Sequence, residues 1–307
     1  MIDQNPESCP ICVAKHLSIS AKPCRYFQLA ICASCGHASA IRDKRWNDGD
    51  DRQQLEFFGR EFANRSELFL KLYEAIAARR ICKALRLNGS KRILEIGPGR
   101  GAVMAYLSAR GHEVIGLDVS PAIAQSIREK YSLTVLTESL SAHLKQLNNK
   151  RYDIVVMCHV LEHFVDPRKV AKQVFSLLNS GGQLYVAVPN MDSWHSHWAG
   201  WPGYAHYHSQ YFTRRSLVRW GEQAGLRINY LGSYESLSGW VNTLWRSMLG
   251  YPGRTAIGGG QHLAGTGWKR NVLEAVRLGL GTALSPIRWA QAWAGKGEEL
   301  VLIGTKP

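Results

Sequence analysis

The sequence has no run of 18 uncharged apolar residues, so it offers no segment that crosses a bilayer as a single helix. Its first residues, Met1-Ile-Asp-Gln-Asn-Pro-Glu7, have neither the basic start nor the apolar stretch of a secretory signal. The chain is therefore expected to stay in the cytoplasm, where its seven cysteines serve as reduced thiols or metal ligands, not as disulfides. Acid is also in short supply. Twenty-four Asp and Glu stand against 38 Lys and Arg, a net charge of +14. That balance suits nucleic acid, anionic headgroups or acidic glycans without choosing among them. Before position 194 there is a single tryptophan, and the other nine of the ten follow. Such rings pack in cores, stack on sugars or sit at membrane interfaces.

What is present is arranged in blocks along 307 residues, enough for one full α/β domain with accessory elements. In residues 1–40, Cys9-Pro-Ile-Cys12 and Cys32-Ala-Ser-Cys35 are two C-x-x-C pairs separated by nineteen residues. This is the spacing of a four-cysteine zinc site, in which two knuckles fill the tetrahedron of Zn²⁺ and leave no open position. So short a segment buries little apolar surface, and the metal is expected to stand in for a core. We therefore read a structural zinc ribbon with Cys9, Cys12, Cys32 and Cys35 as ligands. Cys24 lies between the pairs and is left out of the set, while Cys82 and Cys158 sit in apolar runs and read as core. Residues 41–90 are expected to form a helical linker or lid. Leu55, Phe58, Phe62, Leu68, Leu72, Ile76, Ile81 and Leu85 recur near helical spacing, and Asn88-Gly-Ser90 ends the pattern.

From 91 to 230 the pattern alternates between strand and helix. Strands are predicted at 92–96, 113–117, 133–136, 153–158 and 183–188, with Gly181-Gly182 as a turn before the last and Pro189 as its stop. Such alternation means a mostly parallel sheet that binds its ligand at the carboxyl ends of the strands. Two further strands are predicted at Arg227–Gly232 and Glu299–Gly304, the latter within a last segment at 299–307. The stretch between them, 231–298, is too long for a hairpin loop. Val272, Leu273, Val276 and Leu280 line one helical face, and Ser285-Pro286 caps a second helix carrying Ile287, Trp289, Ala290 and Trp293. Arg254, Lys269, Arg270, Arg277 and Arg288 accompany them against Glu274 alone. A basic, Trp-rich amphipathic hairpin over 254–293 suits the interfacial plane of an anionic membrane, and equally an ordinary helical subdomain.

The segment richest in chemistry is Arg92-Ile-Leu-Glu-Ile-Gly-Pro-Gly-Arg-Gly101. A short apolar run ends in three alternating glycines, and a helix follows, which lets a nucleotide-like ligand approach bare backbone. Read as G-x-G-x-x-A (Gly97, Gly99, Ala102), the same letters suit a nicotinamide or flavin. The acidic residues separate these options. Glu95, two residues before the first glycine, repels a pyrophosphate and suits a cationic ligand without phosphate. Asp118 ends the next strand, where a carboxylate can accept both hydroxyls of a ribose.

The stretch 93–101 with Asp118 resembles motif I and the following acidic motif of class I S-adenosylmethionine (SAM)-dependent methyltransferases. SAM has an adenosine, a sulfonium and an amino acid tail, but no phosphate. The resemblance implies a Rossmann-like α/β fold whose mostly parallel sheet carries an antiparallel edge, here joined to an N-terminal zinc ribbon and a helical C-terminal insertion. It implies that Glu95, Gly97, Gly99 and Gly101 line the methionine and ribose side of SAM. Asp118 then meets the ribose hydroxyls, Val119 packs on adenine, and Glu138 falls near the adenine amine.

Tyr152-Asp153 and the run Leu161-Glu-His163-Phe-Val-Asp166-Pro167 resemble a subgroup that includes ubiquinone-pathway O-methyltransferases and deoxysugar methyltransferases. The likeness covers residues 90–230, and the ribbon-plus-core layout resembles deoxysugar C-methyltransferases. In the quinone enzymes a Glu-x-x-Glu-His pattern is associated with a divalent metal; here His159-Val-Leu-Glu162-His163 has His in place of the first Glu. His208 with Phe212-Thr213 and Ser216-Leu217 resembles the element bordering the acceptor pocket, within the aromatic loop 190–217 that also holds Trp194, His195, His197, Trp198, Trp201, Tyr204, His206 and Tyr207. Methyl transfer is an in-line displacement that needs alignment and, for a hydroxyl acceptor, removal of a proton. His163 is the first candidate base, with Glu162 to orient it or hold substrate; His208 is the second and His159 a further one. Helix capping or a structural hydrogen bond is the competing role for each histidine.

The leading reading is an enzyme methylating a hydroxyl or carbon of a sugar, glycolipid or polysaccharide, or quinone-like molecule, with the basic insertion pointing to a lipid-linked glycan at the cytoplasmic membrane face. A second reading is RNA methylation using the ribbon and the basic surface. Against it, strand four leads into Cys-His-Val-Leu-Glu-His and not into the Asn-Pro-Pro-aromatic motif of many base-amine methylases. A third is a non-catalytic zinc-ribbon binding module; the intact glycine loop and Asp118 argue against it.

Overall fold

The computed structural model describes residues 7–20, 27–42, 67–147, 150–205, 207–248 and 268–307. Cys24, Leu55, Phe58, Phe62, His206 and Arg254 lie outside the described residues. The chain divides into two compact units, each assembled from several stretches. One draws on Met1–Phe69, Pro189–Ser216 and Gly232–Leu300, the other on Leu70–Val188, Leu217–Leu231 and Val301–Pro307. Strands and helices are numbered separately along the chain.

In the first unit, β1 (Leu17–Ile19), β2 (Phe27–Cys32) and β3 (Ala38–Arg42) form an antiparallel sheet. Its fourth strand is β9 (Gln210–Tyr211), which adds to the free edge of β3 with Ala38 opposite Tyr211 and Ser39 opposite Gln210. Phe27, Leu29, Ala38 and Ala40 pack with Trp201, Tyr204 and Tyr211 into an apolar cluster. The four-cysteine segment thus has a core after all, because the aromatic loop supplies the rings that the short N-terminal stretch lacks.

The other unit is built on a sheet of order β10-β11-β8-β7-β4-β5-β6. Helix α1 (Glu67–Leu85) precedes β4 (Arg92–Ile96). Then follow α2 (Ala102–Ser108), β5 (Glu113–Asp118), α3 (Pro121–Tyr131), β6 (Thr134–Thr137), α4 (Leu140–Gln146) and β7 (Tyr152–Cys158). Helix α5 (Pro167–Leu177), β8 (Leu178–Pro189), α6 (Arg214–Gln223), β10 (Arg227–Tyr234) and β11 (Glu299–Thr305) complete it. The pairs β4–β5, β5–β6, β4–β7 and β7–β8 are parallel. Ile93, Leu94 and Ile96 are all buried, because a central parallel strand has cover on both faces and reads as a continuous apolar run. Ile93, Met104, Leu107, Ile127, Val135, Ile154 and Tyr185 share one core. The chain walks outward from β4 to β6, then returns across β4 to β7. Ligand crevices in such sheets open at this reversal, beyond the carboxyl ends of β4 and β7.

Three local expectations need correction. Gly181-Gly182 is no turn: β8 runs unbroken from Leu178, and the glycines sit where the pairing with β7 slips, from Tyr152–Leu178 to Ile154–Gln183. A Cβ on Gly182 would stand 2.8 Å from the Asn179 carbonyl oxygen. In the helical stretch, α7 (Gly239–Met248), α8 (Trp268–Ala283) and α9 (Ser285–Trp293) are present, but α9 is capped by Leu284 with no side-chain bond, although Pro286 does occupy its first turn. Arg288 is not a surface cation. It is buried, with its guanidinium donating to the carbonyls of Glu235, Ser236 and Gly281. Among the described residues no helix is long and apolar enough to cross a membrane.

Candidate active site

Beyond β4 the backbone takes left-handed conformations at Gly97, Gly99 and Gly101, with φ of +66°, +54° and +76°. A Cβ at Gly97 would come 2.5 Å from Val160 Cγ2, and one at Gly101 2.8 Å from Ile127 Cγ1. The loop therefore needs glycine twice over, for its dihedral angles and for its neighbours. The Gly97 N–H donates to Leu117 across to β5, and Arg100 Nε donates to Glu74 of α1 at 2.6 Å. Gly101 opens α2 without any side-chain cap. Beneath the loop, Glu95 is 3% exposed, and its Oε2 has no hydrogen-bond partner. Burial pushes its carboxyl up to about 8, with the Met104 N–H pulling the other way. A buried acid with an unmatched oxygen beside bare backbone is a place for a ligand carrying positive charge.

Asp118 ends β5, its Oδ1 accepting from the Ser120 N–H at 2.8 Å, and burial raises its carboxyl while the Ser120 and Val119 N–H groups lower it. Next to it Val119 leaves an apolar side chain 63% exposed. Glu138, after β6, has Oε1 at 2.8 Å from His143 Nδ1, and His143 Nε2 lies 2.9 Å from the Tyr152 hydroxyl. One of its oxygens is therefore already engaged.

After β7, His159 stands in a left-handed conformation (φ 56°), held by its N–H on the Ala187 carbonyl. Residues 161–163 make a single tight turn. Glu162 is fully buried on that turn, with Oε1 3.5 Å from His159 Nδ1, and the imidazole of His159 is half exposed. His163 follows, partly buried. Asp166 of the same run caps α5, accepting from the Lys169 N–H at 3.0 Å, and Pro167 starts the helix. The turn thus brings His159, Glu162 and His163 to the strand edge that also bears the glycine loop and Asp118. His208 belongs to the other unit. It is buried, and its Nδ1–H donates to the Gly203 carbonyl at 2.8 Å, so Nε2 is the nitrogen that keeps a lone pair.

The four cysteines expected to act together do converge. Sγ atoms of Cys9 and Cys35 are 3.6 Å apart, those of Cys12 and Cys32 3.4 Å, and all four lie within 4.8 Å of one another. A tetrahedron with metal–sulfur bonds of about 2.3 Å has edges of about 3.8 Å, so this donor set fits Zn²⁺. The Cys9 thiol is pulled down to about 4 by its hydrogen bond with Cys35, whose own thiol is pushed up by the same bond. The sheet around them is fastened to the aromatic loop. Thr213 Oγ1 donates to the Cys35 carbonyl at 2.8 Å, and His37 Nε2 meets Gln210 Oε1 at 2.8 Å.

One cluster has no counterpart in the sequence pattern. His195 Nε2 is 2.8 Å from Glu235 Oε1, its Nδ1 3.0 Å from Thr243 Oγ1, and its ring lies against Trp240. Glu298 completes the group. Burial pushes Glu235 up to about 8, raises Glu298 and lowers His195. Burial thus works against the charged form of all three groups. Gly239 belongs to its wall: a Cβ there would stand 2.5 Å from Glu235 Oε1 and 2.7 Å from Glu298 Oε2.

A family model described as "Methyltransferase domain" matches residues 66–231. Among curated proteins, the ubiquinone biosynthesis O-methyltransferase of Coxiella burnetii is 25% identical over 171 residues, covering 52% of this chain and 73% of that protein. Its Aeromonas salmonicida counterpart is 28% identical over 156 residues, covering 45% and 63%. Among solved structures, a SAM-dependent methyltransferase from Archaeoglobus fulgidus aligns at a TM-score of 0.49 and 18% identity, covering 76% of this chain and 94% of that one. The family match spans more than half of the 307 residues and takes in the glycine loop, Asp118 and the 159–163 turn. The chain belongs to the methyltransferase-domain family and is a class I SAM-dependent methyltransferase.

Proposed function

We propose that this enzyme methylates a hydroxyl or carbon of a small acceptor (a sugar, a lipid-linked or polysaccharide glycan, or a quinone-like molecule), with His163 as the base. The observation that carries this reading is the 159–163 turn, which sets the buried Glu162 within 4.8 Å of His163 and 3.5 Å from the half-exposed His159 imidazole, at the edge that holds the cofactor loop. The O-methyltransferase relatives support oxygen as the methylated atom. When bound, SAM supplies an electrophilic methyl group. Glu95 meets its positive charge, and Gly97, Gly99 and Gly101 admit it against the backbone. Asp118 accepts the ribose hydroxyls, Val119 covers adenine, and Glu138 offers its second oxygen to the adenine amine. His163 takes the acceptor proton and Glu162 orients it. His159 flanks the turn, and His208 keeps Nε2 as a second candidate proton acceptor. Cys9, Cys12, Cys32 and Cys35 hold a structural Zn²⁺. The functional blocks of this reading are a ribbon at 1–40, a cofactor core at 91–230 and a helical insertion at 231–298; of the linker or lid expected at 41–90, residues 43–66 lie outside the described residues.

Calorimetry and turnover on two variants test this, using nucleotide sugars, lipid-linked glycans and quinone precursors as acceptors. Asp118→Ala is expected to weaken SAM binding about tenfold to a hundredfold, the worth of hydrogen bonds to a charged group. His163→Ala is expected to keep SAM affinity and lose about 10²–10⁴-fold in kcat. Unchanged affinity in the first variant would move the ribose away from Asp118. A kcat loss under about tenfold would give His163 a structural role. Turnover on RNA alone would overturn the small acceptor.

A further inference from the structure

Helices α8 and α9 are amphipathic the wrong way round for a soluble subdomain. Their buried side chains include Glu274, Arg288 and Gln291, whereas large apolar groups face outward. Charged side chains are rarely the ones buried unless paired. Here each is held in place. Glu274 pairs with Arg277, Arg288 donates to three backbone carbonyls, and Gln291 binds Glu235, the Lys296 carbonyl and Trp240 Nε1. These polar contacts anchor the helices by one side. On the other, Trp268, Val272, Val276 and Leu280 recur every four residues along α8 and are all half or more exposed. Trp289 is 71% and Trp293 91% exposed on α9, with Met248 at the end of α7 also open. Single exposed apolar residues are ordinary, but a stripe of this length needs a cover.

We propose that this face docks on a membrane surface containing anionic lipids, with α8 and α9 lying in the interfacial plane. Charge selects the lipid. From 239 to 294 the chain has one acid, Glu274, which Arg277 neutralises, and Arg288 is buried on backbone carbonyls; the other cations of that stretch are Arg246, Arg254, Lys269 and Arg270. The whole chain carries +14. A second copy brings the same positive charge to the same face and is repelled. Nucleic acid offers phosphate but no apolar interior for tryptophan. An acidic bilayer offers both, with indole rings at the headgroup level and cations against the phosphates. Sixteen residues of α8 are too short to span the hydrocarbon, so the helix lies flat. The inference does not rest on the acceptor or on His163.

The test is co-sedimentation of the full chain with vesicles of phosphatidylcholine alone and with phosphatidylglycerol added, beside the double variant Trp289→Ser/Trp293→Ser. Both positions are exposed, and retained SAM affinity reports that the variant is folded. The native chain is expected to bind the anionic vesicles, with a blue shift of tryptophan fluorescence and weakening by salt. The double variant is expected to bind at least about tenfold less, since two indoles no longer leave water. No preference for anionic vesicles, or equal binding by the variant, would overturn the proposal. So would light scattering that shows a native dimer dissolved by the same substitutions.

Discussion

Glu95 and Glu235 are two carboxyls that burial drives up to about 8, and their surroundings give them opposite meanings. Glu235 spends both oxygens inside its own unit, on His195, Gln291 and the Glu298 N–H. Glu95 leaves one oxygen unmatched under the glycine loop. Its carboxyl keeps its proton in the folded chain until about pH 8, while an unfolded chain gives it up near the ordinary 4.5. Between those values the native state binds more protons than the unfolded one, so this group's contribution makes stability fall as pH rises, levelling off above 8. Glu95→Gln removes that slope. In the absence of SAM its Tm advantage over the native chain is expected to be larger at pH 8 than at pH 5 by scanning calorimetry. An equal difference at both would mean that Glu95 is ionised in the fold. Glu95, Asp118 and the three glycines were legible in the sequence because they lie within one strand–turn–helix unit and its neighbour. The His195–Glu235–Glu298 group was not. Its partners come from distant loops, and neither carboxylate falls in a local pattern that separates buried from solvated acid.

The first turn of α6 shows how an element can serve two neighbours. Thr213 N–H donates to Ser216 Oγ and Ser216 N–H to Thr213 Oγ1, a reciprocal cap, while the same threonine hydroxyl reaches the Cys35 carbonyl. Gly36 has no Cβ, and one placed there would meet Thr213 Cγ2 at 3.1 Å. Thr213→Ala is expected to cost about 1–2 kcal/mol of stability in denaturant unfolding, and Thr213→Ser to recover most of it. Equal losses in both variants would assign the effect to the methyl group and not to the hydroxyl. The cap was readable from Thr213 preceding a helical pattern, as were β4 to β8 from their apolar runs, the first of them closed by Gly97 and the last by Pro189. Strand β9 was not readable. Two residues have no period, and their partner strand lies at the other end of the chain. The reversed polarity of α8 and α9 escaped for a related reason: a count of cations on a helix takes all of them as solvated, whereas Arg288 is captured by carbonyls of other segments.

At the scale of the molecule, neither unit is a continuous stretch of chain. The unit with the cysteines also contains the aromatic loop and the outward-facing helices, so what looked in sequence like a detachable ribbon is built into a larger body. Purified chain is expected to carry one zinc per molecule by elemental analysis. Chelation is expected to raise amide hydrogen exchange in β1 to β3 and at 210–211 while β4 to β7 keep their protection, because a structural metal site contributes folding energy to the elements it joins. Metal-free protein with unchanged exchange in the N-terminal sheet would show that the four thiols need no ion.

The borrowed strand also sets a timetable. His37 and its partner Gln210 are 173 residues apart, and at about 5–20 residues per second a ribosome needs about 10–30 s to travel between them. For that interval all four thiols are already outside, yet β3 shows an open row of amides and carbonyls, the kind of edge that recruits foreign strands. On a polysome the neighbouring nascent chains expose the same edge at the same stage. With a zinc in the four-thiol site, early capture of the ion would stiffen the N-terminal segment while it waits, and the yield of folded protein is then expected to fall in zinc-poor medium.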